Sequence, residues 1–204
     1  SVFNKDLLDP KKIEFLPDVE LLGIVLAEQV DEPISFYKLA SEIDTEPQKA
    51  TNWVKILCRN HYVFSVPSYY RHIRGAWKKG LKYYLWDWSE ISNTEKRFKN
   101  LIASHLLKFC HYLQDVMGYT VELFFIRNIK KQKIDFLLTW ENEPWMAIEC
   151  SLTPEKDLTT LKYYSKRLNI SERYFIVMEN GVDQLDKTTG IRTLSANRFL
   201  TALV

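Results

Sequence analysis

Apolar positions fall into two regimes along this chain: helical spacing through the first third, then strand-like runs framed by helices. Leu21, Leu22, Val25, Leu26 and Val30 recur on one face of a 3.6-residue period, which predicts a helix capped by Asp18 and ended by Asp31-Glu32-Pro33. Ser35 opens a second helix with Phe36, Leu39, Ala40 and Ile43 inward. Pro47 suits the first position of a third, from about Gln48 to Asn60, burying Ala50, Val54, Ile56 or Leu57, and Cys58. Extended runs follow at Tyr62–Val66 and Leu81–Trp86, joined by an irregular basic stretch. Three helices with a tight turn between the second and third, then two strands around a basic loop, predict a winged helix-turn-helix over residues 18–90. Residues 1–17 form a polar lead-in to it.

The second half, residues 91–204, opens on Ser92 or Asn93, and Ser92 with Glu95 three residues later has the spacing of a capping box. Its helix carries Phe98, Leu101, Ile102, His105, Phe109, Tyr112 and Leu113 on one side and ends near Met117-Gly118. Strand-like runs follow at Val121–Ile126, Ile134–Trp140 and Trp145–Cys150, with intervening loops of hairpin length. A helix from about Pro154 to Leu168, a strand Tyr174–Met178, a loop through Gly181 and Gly190, a strand Ile191–Leu194 and a helix capped by Ser195 complete the chain. Helix, three strands, helix and strand make an αβββαβ sandwich, so the fold class is α+β or α/β.

Composition narrows this picture only a little. The 204 residues are 46% hydrophobic and 26% charged, as in an ordinary globular protein of one domain or two small ones. A net charge of +2 is too small to argue for nucleic-acid binding, which must rest on local clustering. Cys58, Cys110 and Cys150 are too widely spaced for a disulfide framework or a zinc pattern, so a reducing cytoplasm is the expected setting. No apolar run approaches the length of about 18 residues that a membrane helix needs, and no signal-peptide layout begins the chain. A start at Ser1 without Met fits a piece of a longer protein.

Chemistry concentrates at Asp135 and Glu149, carboxylates set in the apolar strands Ile134–Leu138 and Ala147–Cys150. A buried carboxylate costs several kcal/mol unless it is paired or bound to metal. Two such groups on adjacent strands fit a divalent-cation site, since Mg²⁺ takes oxygen ligands and two carboxylates can hold it against a phosphate. On spacing alone, an ion pair or simple exposure at an edge, without metal, is the preferred reading.

Tyr83–Asp87, Phe98–Leu107, Lys133–Leu138 and Met146–Ser151 together resemble successive landmarks in the C-terminal region of a large group of prokaryotic AAA+-type ATPases. In that group an ATPase module is followed by a winged helix and a restriction-endonuclease-like, PD-(D/E)XK nuclease domain. The resemblance covers roughly residues 18–204. It implies that Asp135 and Glu149 are the catalytic, metal-side acids, with Mg²⁺ as cofactor if the nuclease site is active. The lysine it implies two residues after Glu149 falls on Ser151, the acid it implies on the first helix falls on Lys99, and the acid two residues before Asp135 falls on Lys133. Lysines beside the two acids stabilise them without metal and oppose Mg²⁺, so impaired catalysis is the expectation. Alternatively, Lys99 or Lys133 has migrated to supply the missing catalytic lysine.

Basic residues cluster near the helix-turn-helix. Lys49, Lys55 and Arg59 lie on the third helix, and Arg71, Arg74, Lys78, Lys79 and Lys82 crowd the loop between the two strands, interleaved with Tyr69, Tyr70 and Trp77. Such groups can neutralise phosphates, with Lys130, Lys131 and Lys133 extending the track; a solvated basic loop is the alternative. Gly75–Lys82 has phosphate-loop glycine spacing but lacks the Lys-Ser/Thr pair, so no ATPase site is expected in this chain. His61, His72, His105 and His111 form no ligand cluster, and Ser151 has no evident histidine partner. The expected function is therefore a DNA-binding accessory region of a AAA+-type ATPase, with Lys49, Lys55, Arg59, Arg71, Arg74 and Lys79 on phosphates. Its rivals are a Mg²⁺-dependent endonuclease using Asp135 and Glu149, and an interaction module docking an ATPase domain or another protein partner.

Overall fold

A computed structural model of the chain describes residues 16–70 and 80–203. Its described residues form six α-helices, a two-stranded antiparallel sheet and a mixed six-stranded sheet, an α+β arrangement. The N-terminal part contains α1 (Leu16–Glu28), α2 (Phe36–Glu42), α3 (Pro47–Arg59), β1 (Val63–Pro67) and β2 (Leu81–Leu85). Pro47 does stand at the start of α3, where its missing N–H has no helical partner to lose. Ile56 is exposed while Leu57 is buried, so the inward stripe of α3 runs Ala50, Trp53, Val54, Leu57. In α1 the helix starts before Asp18, which lies in the first turn and is not its cap. Its buried apolar side chains are Val19, Leu22 and Leu26, with Leu21 43% exposed.

The rest contains α4 (Thr94–Asp115), β3 (Val121–Arg127), β4 (Lys133–Trp140), β5 (Glu143–Ser151), α5 (Thr159–Arg167), β6 (Glu172–Val177), β7 (Asp183–Asp186), β8 (Ile191–Ser195) and α6 (Ala196–Ala202). The large sheet has the order β3-β4-β5-β6-β8-β7. The β3–β4 and β4–β5 pairs are antiparallel, β5–β6 and β6–β8 parallel, and β7 closes one edge antiparallel to β8. β7, which carries no apolar alternation and is exposed at every position, falls in the stretch expected to be a loop. It is held by pairing with β8 and by Arg192, whose Nε lies 3.0 Å from Asp183 Oδ1.

Polar groups decide several boundaries. Asn93, not Ser92, caps α4: its side chain accepts the Lys96 N–H, and the expected Ser92–Glu95 box is not formed. Glu95 turns instead to Lys99 one helical turn on. The buried face of α4 includes Lys99 and Asn100 beside Phe98, Ile102, Ala103, Leu106, Cys110 and Leu113, whereas His105 is only partly buried and Tyr112 is 50% exposed. Asn100 accepts the Leu85 N–H at 2.8 Å and donates to the Leu85 carbonyl at 2.7 Å, tying α4 to β2. Ser195 stands at the start of α6, but its hydroxyl accepts the Val182 N–H and makes no cap bond. α5 begins at Thr159, so Pro154–Leu158 is irregular backbone where helix was expected.

One continuous apolar cluster runs from α1, α2 and α3 through β1 and β2 to α4 and one face of the large sheet. A second lies on the other face, beneath α5. Among the described residues no helix is long and apolar enough to cross a membrane.

Candidate functional site

Asp135 sits where β4 bulges. Phe124 pairs with Leu137 and Ile126 with Ile134, so Asp135 and Phe136 together oppose the single residue Phe125. A bulge of this kind re-aims a side chain out of the strict alternation of a strand. The Asp135 carboxylate is wholly buried and its Oδ2 accepts the Cys150 N–H at 2.9 Å. The fixed register of β4 and β5 (Phe136 opposite Ile148) brings Glu149 alongside.

Lysines surround the pair. Lys156 Nζ donates to Glu149 Oε2 at 2.5 Å and to the Cys150 carbonyl at 3.2 Å, and lies 3.7 Å from Asp135 Oδ2. Lys99 Nζ is 3.6 Å and Lys133 Nζ 3.9 Å from Asp135 Oδ1. A third carboxylate arrives from the turn after α1: Lys99 Nζ is 2.9 Å and Lys133 Nζ 3.5 Å from Asp31 Oδ2. On its other oxygen Asp31 receives Lys82 Nζ at 2.6 Å and the Tyr84 hydroxyl at 3.3 Å. Asp31 holds this position with φ at 68°, left-handed backbone that Asp tolerates better than most side chains. Lys82 Nζ also lies 4.9 Å over the Phe125 ring.

The result is a chain of alternating charge, Lys82–Asp31–Lys99/Lys133–Asp135–Lys156–Glu149, in which Lys82, Asp31, Lys99, Asp135 and Glu149 are buried while Lys133 and Lys156 reach solvent. Burial alone would raise the Asp31 carboxyl, but Lys82, Lys99 and Lys133 together hold it well below the usual carboxylate range. Burial opposes the Lys99 charge, yet Asp135 and Asp31 outweigh it and keep the ammonium form. Lys156 is likewise raised, its burial overcome by Asp135 and Glu149. Burial, with the neighbouring Asp135, pushes Glu149 up to about 7 despite Lys156. A raised Lys156 calls for anionic partners while a raised Glu149 favours the neutral acid. The 2.5 Å contact reconciles them, because a charged Lys156 bonds either form of Glu149 and Asp135 supplies the negative field. Burial and the Asp31 and Asp135 charges keep the Tyr84 phenol protonated, hence a donor.

This geometry has a pH signature. A carboxyl whose folded pKa lies above its unfolded value makes the folded state take up a proton first. Stability from this group is present below about 4.5 and lost as pH rises through about 7. Urea unfolding at pH 5 and pH 7.5 should therefore show a loss of stability on going up, abolished in Glu149→Gln; equal slopes in both proteins would contradict the assignment.

The residues do not fit Mg²⁺. That ion demands near-octahedral oxygen ligation, and here two carboxylates are shared among three ammonium groups within 4 Å. Among the described residues no group of three or more His, Cys, Asp or Glu gathers to hold a metal ion.

Of the expected site residues, Asp135, Glu149, Lys99 and Lys133 come together. Ser151 stays outside, its hydroxyl 3.4 Å from the Thr153 N–H that it accepts. Lys49, Lys55 and Arg59 are exposed on α3, and Lys130 and Lys131 are exposed between β3 and β4. Arg71, Arg74, Lys78 and Lys79 lie outside the described residues. Lys82, expected among the exposed basic groups of the loop, is instead fully buried against Asp31. Three members escaped the sequence reading. Asp31 reads as a helix terminator, Lys82 as part of a basic loop, and Lys156 as the first turn of a helix. The available signal was Lys82 itself, a charge within the apolar run Leu81–Leu85 that asks for a buried partner.

Comparison of the chain with protein-family models, with curated proteins and with solved structures found no match.

Proposed function

We propose that this chain is a nucleic-acid-binding region, for DNA, built as a winged helix and a PD-(D/E)XK nuclease-like domain that does not cleave by a metal-dependent route. In this reading it is the C-terminal part of a AAA+-type ATPase, positioning DNA for the ATPase module. The observation that carries it is the Lys156 ammonium placed between Glu149 and Asp135, at 2.5 and 3.7 Å, with Lys99 on the far oxygen of Asp135. Positive charge thus stands where a catalytic cation would be required, and the two acids are engaged in holding the fold. Lys49, Lys55 and Arg59, exposed on the outer face of α3, supply phosphate contacts. Lys130 and Lys131, exposed between β3 and β4, supply a second basic patch beside the large sheet.

Fluorescence anisotropy with a labelled duplex tests the reading. Binding at low salt that weakens steeply towards physiological salt is expected. No measurable affinity for duplex or single-stranded DNA at low salt would overturn it.

A further inference from the structure

Away from the lysine–carboxylate cluster, the β3–β4 corner of the large sheet encloses a pocket of about 220 Å³. That is several times the ~30 Å³ share of a water molecule and below the ~300 Å³ at which drug-sized sites begin. It suits a single heterocycle. Its walls are aromatic: Tyr69 and Phe124 meet edge to face at 5.5 Å, and Tyr70 stands 49% exposed at the side. Its polar side chains include Ser68, Glu122, Thr139 and Asn142.

Thr139 is the feature that asks for a ligand. It is 1% exposed, and its hydroxyl has no hydrogen-bond partner among the described residues. A buried hydroxyl left unpaired has given up its hydrogen bonds to water with nothing in return. Glu122 faces it directly across the β3–β4 ladder, yet the two are not bonded to each other. A solvent-exposed carboxylate and a buried, unpaired hydroxyl, on residues paired across the ladder, therefore line the same pocket. Asn142, in the tight β4–β5 turn, adds an amide at the rim.

A carboxylate accepts hydrogen bonds and offers none. The complementary ligand must be planar, to lie against Phe124 and Tyr70, and must present adjacent N–H donors along one edge to Glu122. Among unpaired nucleobases guanine does this, with its N1–H and exocyclic amino group side by side. Adenine places a ring acceptor beside its amino group and would set lone pair against lone pair. We propose that this pocket binds an unpaired guanine base, with Glu122 on the donor edge, Thr139 bonded to a further polar atom of the base, and the aromatic walls stacking on its faces.

The site is distinct from the phosphate contacts proposed above, and guanosine, which carries no phosphate, keeps the two questions apart. Titration of the full chain with guanosine, followed by tyrosine fluorescence or by NMR, should give saturable binding, with adenosine at least tenfold weaker. Glu122→Gln, an exposed position that leaves the fold intact, should weaken guanosine about tenfold, since it removes the charged acceptor. Thr139→Val, matched in shape, should weaken it by a smaller factor while leaving the aromatic wall in place. No saturable binding of guanosine, equal affinity for adenosine, or an affinity unchanged in Glu122→Gln would each overturn the proposal.

Discussion

Asp31→Asn is expected to lower the melting temperature by about 10 °C, the largest effect of any single change in the ionic cluster. Asn tolerates the left-handed backbone at this position, so the substitution isolates the loss of charge from backbone strain. What remains is Lys82, 0% exposed and deprived of its carboxylate partner, and Lys99, 3% exposed and left with Asp135 and Glu95 alone. Breaking a buried ion pair from one side costs roughly 3–5 kcal/mol, because a buried charge is left uncompensated. In a chain of this size each kcal/mol moves the midpoint by about 2–4 °C. Lys82→Met in the same background removes one stranded ammonium and should restore part of the loss, a coupling that a double-mutant cycle reads directly. A shift of under 2 °C for Asp31→Asn would mean that the lysines find solvent without it, and the cluster would lose its structural role.

Joint replacement of Lys49, Lys55 and Arg59 by alanine should weaken duplex binding at low salt by about a hundredfold. Each phosphate neutralised contributes about 0.9 to the slope of log affinity against log salt, so three fewer should flatten it by about 2.7. These side chains are exposed on α3 and take no part in the core, so the melting temperature should stay put. An affinity within twofold of wild type would remove α3 from the interface and leave DNA contact to other surfaces.

How much of this was legible beforehand follows from what each residue contacts. Helices and strands with an apolar stripe announced themselves, and so did Asp135 and Glu149, because a lone acid in an apolar run is conspicuous. The boundaries that failed were set by polar partners remote in sequence. α4 turns Lys99 and Asn100 inward because Asp31 and the Leu85 backbone are there to receive them. Hydrophobic spacing alone puts both residues outside. β7 went unseen because Asp183–Asp186 has no buried position, being defined by pairing alone. The lysine beside Glu149 was sought two residues on, at Ser151, or from Lys99 or Lys133. Lys156 comes from irregular chain before α5, where no periodicity constrains where a long side chain reaches. Asp31 is the clearest case: a helix-ending aspartate on local grounds, and the anchor of three lysines once the chain is folded.

In the proposed function, lysines stand where the acids of this site would otherwise hold a metal ion. Calorimetric titration of the purified chain with Mn²⁺, beside the Asp135→Ala variant, tests it most directly. No saturable binding at millimolar Mn²⁺, in either protein, is the expected result. Saturable binding by the wild type that disappears in Asp135→Ala would contradict it, and would return Asp135 and Glu149 to the role of metal ligands.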